Sequence, residues 1–197
     1  AAALCNSTGN QLISKETAGG KSVVVIEKGE PKSCNIVTSC EGKGKTFIMF
    51  SDDLDKALAT FVLANGAAAT GQKVTIFFTF WGLNVIKKLH KPNVEKDIFG
   101  KMFGMMLPSS SRKLKLSKMS MGGIGGKMMR YIMNRKGIDS LESLRQQALE
   151  NGVEFIACQM SMDVMGVKQE ELLDEVTIGG VATYMERADN ANINLFI

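Results

Sequence analysis

The sequence predicts an α/β protein with a doubly wound, mainly parallel sheet of about five strands, flavodoxin-like in plan, and three observations carry that prediction. From Lys45 onward, apolar runs of strand length alternate with segments whose apolar residues recur at helical spacing. Most runs end in turn formers or helix-capping residues, as strand-to-helix junctions do. With 197 residues, 45% of them apolar, the chain can bury one sizeable core and still carry an appendage.

Thr46-Phe47-Ile48-Met49-Phe50 reads as a buried strand, and Ser51, Asp52 and Asp53 offer cap oxygens for a helix running from Leu54 to Gly71. Val74 to Phe78 is a second buried strand. A second helix is expected from Trp81 to about His90, ending before Pro92. Residues 92–137 break the rhythm and read as an insertion. They hold eight of the thirteen methionines and the run Gly122-Gly123-Ile124-Gly125-Gly126, which predicts a flexible flap. Ser140 caps a helix with Leu141, Leu144 and Ala148 on one face and Gly152 at its end, and Val153 to Ala157 is the third strand. Short helical turns at Ser161–Met165 and Gln169–Leu173, a brief strand at Glu175–Ile178, a helix at Val181–Ala188 and a strand at Ile193–Phe196 complete the pattern. Parallel neighbours need crossover connections, which these helices supply. Residues 1–44 stand outside it: Gln11–Ser14 and Ser22–Ile26 suggest a helix end and a strand, or a hairpin, followed by a polar linker.

Composition excludes several functions. No apolar run reaches the roughly 18 residues of a membrane span, and the Ala-Ala-Ala-Leu start lacks a signal-peptide pattern, so the expected compartment is cytoplasmic. Four cysteines, Cys5, Cys34, Cys40 and Cys158, are too few for a disulfide scaffold in a chain this long. Cys34 and Cys40 suit a labile disulfide, resolving thiols or plain solvent exposure. One histidine, His90, and no CxxC pair argue against structural zinc, and no metal or other cofactor is expected. Cys158 with Met160, Met162 and Met165 offers soft Cu(I) ligands, although core filling or a subunit contact explains those methionines more simply. The glycine run fails the phosphate-loop pattern.

The net charge of +4 conceals an asymmetry. Residues 87–136 carry thirteen Lys/Arg against Glu95 and Asp97, a net +11, which leaves −7 for the remainder. Within this basic stretch, residues 99–107 and 128–133 interleave apolar and basic side chains, as a membrane-surface contact, a docking surface, an oligomer interface or a lid would. Nucleic acid is not an expected partner, because stacking aromatics are few and the body is acidic.

Ligands of open α/β sheets gather beyond the carboxyl ends of the strands. Cys158 falls there, and Ser161 or Asp163 would cap the helix after it, so a helix dipole would favour its thiolate. The alternative is a buried cysteine acting as a small hydrophobe. Ser51, Asp52, Trp81 and Ser161 are candidates for a substrate-binding wall, with capping and packing as their structural alternative.

Lys45–Ser51, Phe77-Phe78-Thr79-Phe80-Trp81-Gly82-Leu83, the Met- and Gly-rich insertion and Ala157-Cys158-Gln159-Met160-Ser161-Met162-Asp163-Val164-Met165-Gly166 together resemble the DsrE/DsrF/DsrH-like family, in its long-insertion branch. The resemblance covers residues 45–197, with the insertion at 92–137. It implies a DsrE-like fold and a sulfur relay protein or sulfurtransferase that carries sulfane sulfur as a persulfide on Cys158. It also implies sulfur-carrier or rhodanese-like protein partners and a homo-oligomer. Residues 1–30 are similar to the C-terminal end of a TusA-like sulfur carrier, joined by a linker at 31–44, which implies a piece of a longer fusion; the Cys-Pro motif of such carriers is absent. The competing expectation is a non-catalytic, oligomeric docking module for a membrane-associated or CoA-linked redox complex.

Overall fold

The computed structural model describes residues 11–18, 21–27, 44–90, 92, 94, 100, 102, 104 and 106–197. The chain divides into two units, Ala1–Glu41 and Gly42–Ile197. In the first, strands β1 (Gln11–Ala18) and β2 (Lys21–Glu27) pair antiparallel with an irregularity between Leu12 and Ser14, so the hairpin alternative is the one adopted. Cys5, Cys34 and Cys40, half of the TusA-like stretch and the linker lie outside the described residues.

The second unit is built on a parallel sheet of five strands among the described residues. They are β3 (Gly44–Met49), β4 (Val74–Phe78), β5 (Glu154–Cys158), β6 (Thr177–Gly179) and β7 (Ala191–Phe196), in the spatial order β6-β5-β4-β3-β7. Every pairing is parallel, which is why helices must intervene. Helices α1 (Leu54–Ala69), α2 (Ile124–Arg135), α3 (Leu141–Glu150), α4 (Gln159–Met165) and α5 (Val181–Asp189) do so. Alternate strand residues point to opposite faces. Phe47, Met49, Ile76, Phe78, Phe155 and Ala157 pack in one core with Leu54, Phe61, Leu141 and Ala148 of α1 and α3. Phe77, Ile156 and Cys158 face the other way, against Tyr184 of α5. All five side chains of β4 are buried, as the apolar run Val74–Phe78 requires of a central strand covered on both sides.

Two expectations change. The segment after β4 is a 3-10 helix, Phe80–Ile86, rather than an α-helix reaching His90. Lys87 leaves it to bridge Leu172, while Lys88 N–H donates to Glu171 O (2.9 Å) and Leu173 N–H to Ile86 O (3.1 Å), so strand-like pairing outcompetes helix extension. The buried Arg145 of α3 adds bonds to the carbonyls of Val85 (2.8 Å) and Lys87 (3.3 Å). Secondly, the expected flexible flap contains α2 and is tied down where it is described. Leu54 N–H donates to Lys115 O (2.7 Å), Ser117 N–H to Asp55 Oδ1 (3.0 Å), and Arg130 reaches both Glu142 (3.2 Å) and Ser111 O (2.9 Å).

Gly82 sets how closely the 3-10 helix approaches the sheet. Its N–H donates to Phe50 O (2.8 Å), and a Cβ there would lie 1.9 Å from Met49 O. Backbone atoms cannot yield as a side chain can, so Gly82→Ala is expected to cost about 3 kcal/mol. Thermal unfolding checks this: a variant melting with the native protein would show that the approach is not tight.

Candidate functional site

The carboxyl edge of the sheet brings the candidate residues close in the topology, but it divides them between two surroundings. Cys158 ends β5, pairs with Gly179 of β6 and occupies the N-cap position of α4. It is a free thiol, the one cysteine among the described residues, and only 2% exposed. Strand parity points it to the α5 face, beside Ile156, Phe77 and Tyr184. The Tyr184 ring packs on Phe77 with centroids 5.2 Å apart, and its hydroxyl shares a 3.2 Å hydrogen bond with Thr46 Oγ1. Arg187, one turn along α5, donates to both carboxylate oxygens of Glu154 (3.0 and 3.2 Å), and Thr75 adds a bond of 2.8 Å. Burial alone would raise the Glu154 carboxyl; the Arg187 and Thr75 bonds outweigh it and hold the group below its usual range. This clasp and the Tyr184 hydroxyl fix α5 over the thiol.

Ser161 does not cap α4, as the sequence suggested. It lies within the helix, fully buried, and its hydroxyl shares a 2.8 Å hydrogen bond with Thr79 Oγ1, which ties α4 to the residue after β4. Asp163 instead accepts from Gln159 Nε2 (3.0 Å). Met162 and Met165 belong to the core on the α1 face and Met160 is half-exposed, so the four soft ligands imagined for Cu(I) do not converge. Among the described residues, no three His, Cys, Asp or Glu side chains converge as a metal site.

The other candidates gather on the α1 side. Ser51 Oγ donates to Asp53 Oδ2 (2.8 Å) and accepts from Asp53 N–H (3.2 Å), so its hydroxyl is spent on the turn into α1. Asp52 and Trp81 share a cleft of about 690 Å³, walled also by Met106, Pro108, Lys113 and Lys115. Cys158, Ser51 and Ser161 are not on its wall. Asp52 accepts from Asn84 Nδ2 (3.0 Å), and Asn84, which the sequence did not mark, is fully buried with Oδ1 lacking a partner among the described residues. Tyr184 and Thr79 were also missed as neighbours of the thiol and of α4. The period-2 parity of Glu154–Cys158 assigns Cys158 a face, but sequence alone gave no register for α5 above it.

Burial is the main influence raising the Asp52 carboxyl above its ordinary value; Asp53 adds to it and Asn84 opposes it. A raised carboxyl means that the folded state holds its proton more firmly than the unfolded chain, so this group weakens stability as pH rises through the window above about 3.9. Asp52→Asn, which keeps an acceptor for Asn84, is therefore expected to be more stable than the native protein at neutral pH, with the advantage vanishing as pH falls towards 4. Denaturant midpoints measured across that range check the sign; an equal or lower midpoint at neutral pH contradicts it.

Comparison with known proteins adds a lineage to this geometry. Residues 42–196 match the model of the DsrE/DsrF/DrsH-like family. The chain is 44% identical over 155 residues to the uncharacterized protein YrkE of Bacillus subtilis (strain 168), covering 79% of this chain and 97% of YrkE. It is 38% identical over 161 residues to the sulfur carrier protein DsrE2 of Allochromatium vinosum, covering 80% and 99%. The crystal structure of the ychN protein from E. coli aligns at a TM-score of 0.45 and 10% identity, over 78% of this chain and 99% of that one. On the family match and these two relatives, the chain belongs to the DsrE/DsrF/DrsH-like family.

Proposed function

We propose that this protein relays sulfur as a persulfide on Cys158, working with a protein donor and a protein acceptor of the sulfur-carrier or rhodanese-like kind. The observation that carries the reading is a thiol at the carboxyl end of a parallel strand, with no disulfide partner among the described residues, in a chain 38% identical to a protein named as a sulfur carrier. The Cys158 thiolate attacks the outer sulfur of a donor persulfide R–S–SH. A new S–S bond forms on Cys158, the donor's S–S bond breaks, and the donor leaves as a thiolate that takes up a proton. An acceptor thiolate then attacks the outer sulfur of Cys158–S–SH and releases the Cys158 thiolate, so no external oxidant or reductant is consumed. The Thr79–Ser161 bond positions α4, and with it the backbone of Cys158. Asp52 and Trp81, with Ser51 bracing the turn, serve as a neighbouring surface where the partner's chain is held.

Burial controls access. With the thiol 2% exposed beneath Tyr184 and Phe77, a partner reaches it when these side chains or the strand-end loops give way. Tyr184→Ala should raise the alkylation rate of Cys158 by roughly an order of magnitude, because it removes much of that local opening step. It should also cost about 3 kcal/mol of stability. An unchanged alkylation rate in a variant that is still folded would show that Tyr184 is not the gate.

The transfer itself is tested by intact-mass spectrometry after incubation with a low-molecular-weight persulfide, or with thiosulfate and a rhodanese. The expected result is a gain of one sulfur atom, reversed by a reductant and missing in Cys158→Ser. No gain with either donor favours the docking-module alternative, in which Cys158 is a packed core residue.

A further inference from the structure

We infer that α2 is a membrane-surface element, which lays an exposed apolar stripe into the interface of an anionic lipid bilayer. The inference is independent of Cys158. A helix that serves only its own core turns its large apolar residues inward. In α2 the large apolar residues are divided between two faces. The face against the protein is made by Gly125, Gly126, Met129 and Met133, and the two glycines are there because of a close backbone approach: a Cβ on Gly125 would lie 2.1 Å from Met119 O, and one on Gly126 3.2 Å from Leu114 O. Ile124, Met128, Tyr131 and Ile132, at positions i, i+4, i+7 and i+8, form one stripe and all are exposed, Ile124 by 63% and Tyr131 by 65%.

The loop before α2 extends the same surface. Met119 and Met121 are 69% and 64% exposed, although each sits at positive φ (58° and 40°), where a side-chain-bearing residue is strained. An apolar pocket of about 250 Å³ opens beside Met119, Met128 and Ile132, of a size to receive the end of an acyl chain.

Charge selects the occupant. Lys118, Lys127, Arg135 and Lys136 lie on or beside the stripe and form no ion pair among the described residues, whereas Arg130 is held by Glu142. Apolar side chains flanked by free cations match an anionic headgroup layer over an acyl boundary. A second copy of the chain would set like charges against each other at this face. No helix among the described residues is long and apolar enough to cross a bilayer, and an amphipathic helix with one apolar stripe lies in the plane of the interface.

Flotation of the full chain with vesicles tests the inference. Binding is expected to phosphatidylglycerol/phosphatidylcholine vesicles, to be weak on phosphatidylcholine alone, and to fall with added salt. The exposed-site variant Ile124→Ser/Met128→Ser/Ile132→Ser should lose roughly tenfold or more in partitioning, and each of Lys118→Gln and Lys127→Gln about fivefold. Cys158→Ser should float like the native protein. Flotation that is absent, or that survives the serine substitutions, overturns the inference. So does a size-exclusion result in which the native chain is an oligomer that the serine variant splits while lipid binding is missing, since a second copy would then own the stripe.

Discussion

The double burial of β4 is the constraint from which the rest follows. With all five of its side chains out of solvent, the sheet needs an apolar layer on each face, and the chain meets that need unequally. One face receives α1, α3 and the buried ends of α4 in a large shared core; the other receives α5 and a small cluster around Tyr184. Hydrophobic stabilisation follows the area removed from water, so the α1 side carries most of the folding energy and the α5 side is where the protein can open at least cost. Cys158 sits on that second side.

Much of this was legible in the sequence. Val74–Phe78 is uninterrupted by polar residues apart from a threonine, Ser140 caps α3 through Ser143 N–H as its position suggests, and the strand-turn-helix order of Thr46 to Ala69 reads directly from spacing. Local chemistry decided these elements. What the sequence could not show depended on partners distant in the chain. Phe80–Ile86 has apolar content suited to an α-helix, yet its end is set by Leu172 and Glu171, some 85 residues later. The glycines of residues 122–126 suggested looseness, whereas Gly125 and Gly126 are the condition for a tight helix-on-strap contact.

The candidate site divides along the same line. Placement of Cys158 at a strand end needed only the run Glu154–Cys158 and the following Gln159–Met165. The candidate wall of Ser51, Asp52, Trp81 and Ser161 was drawn without pleat parity, which sends Cys158 to the α5 side while Asp52 leads into α1 on the other. Asn84 looks like an ordinary helix polar residue in sequence. Its burial beneath Asp52 is a consequence of the tight turn at Gly82, two residues earlier.

The insertion comes close to the thiol's own helix at Gly100. Gly166 closes α4 at φ 60°, and the backbone of Gly100 runs so near that a Cβ on Gly166 would lie 2.5 Å from the Gly100 Cα. Two bare backbones in touch have no side chain between them to absorb a displacement. α4 is only seven residues long, about 10 Å from end to end. The helix that begins beside Cys158 therefore ends where only glycine fits: any side chain at position 166 has to displace either the Gly100 backbone or the helix itself.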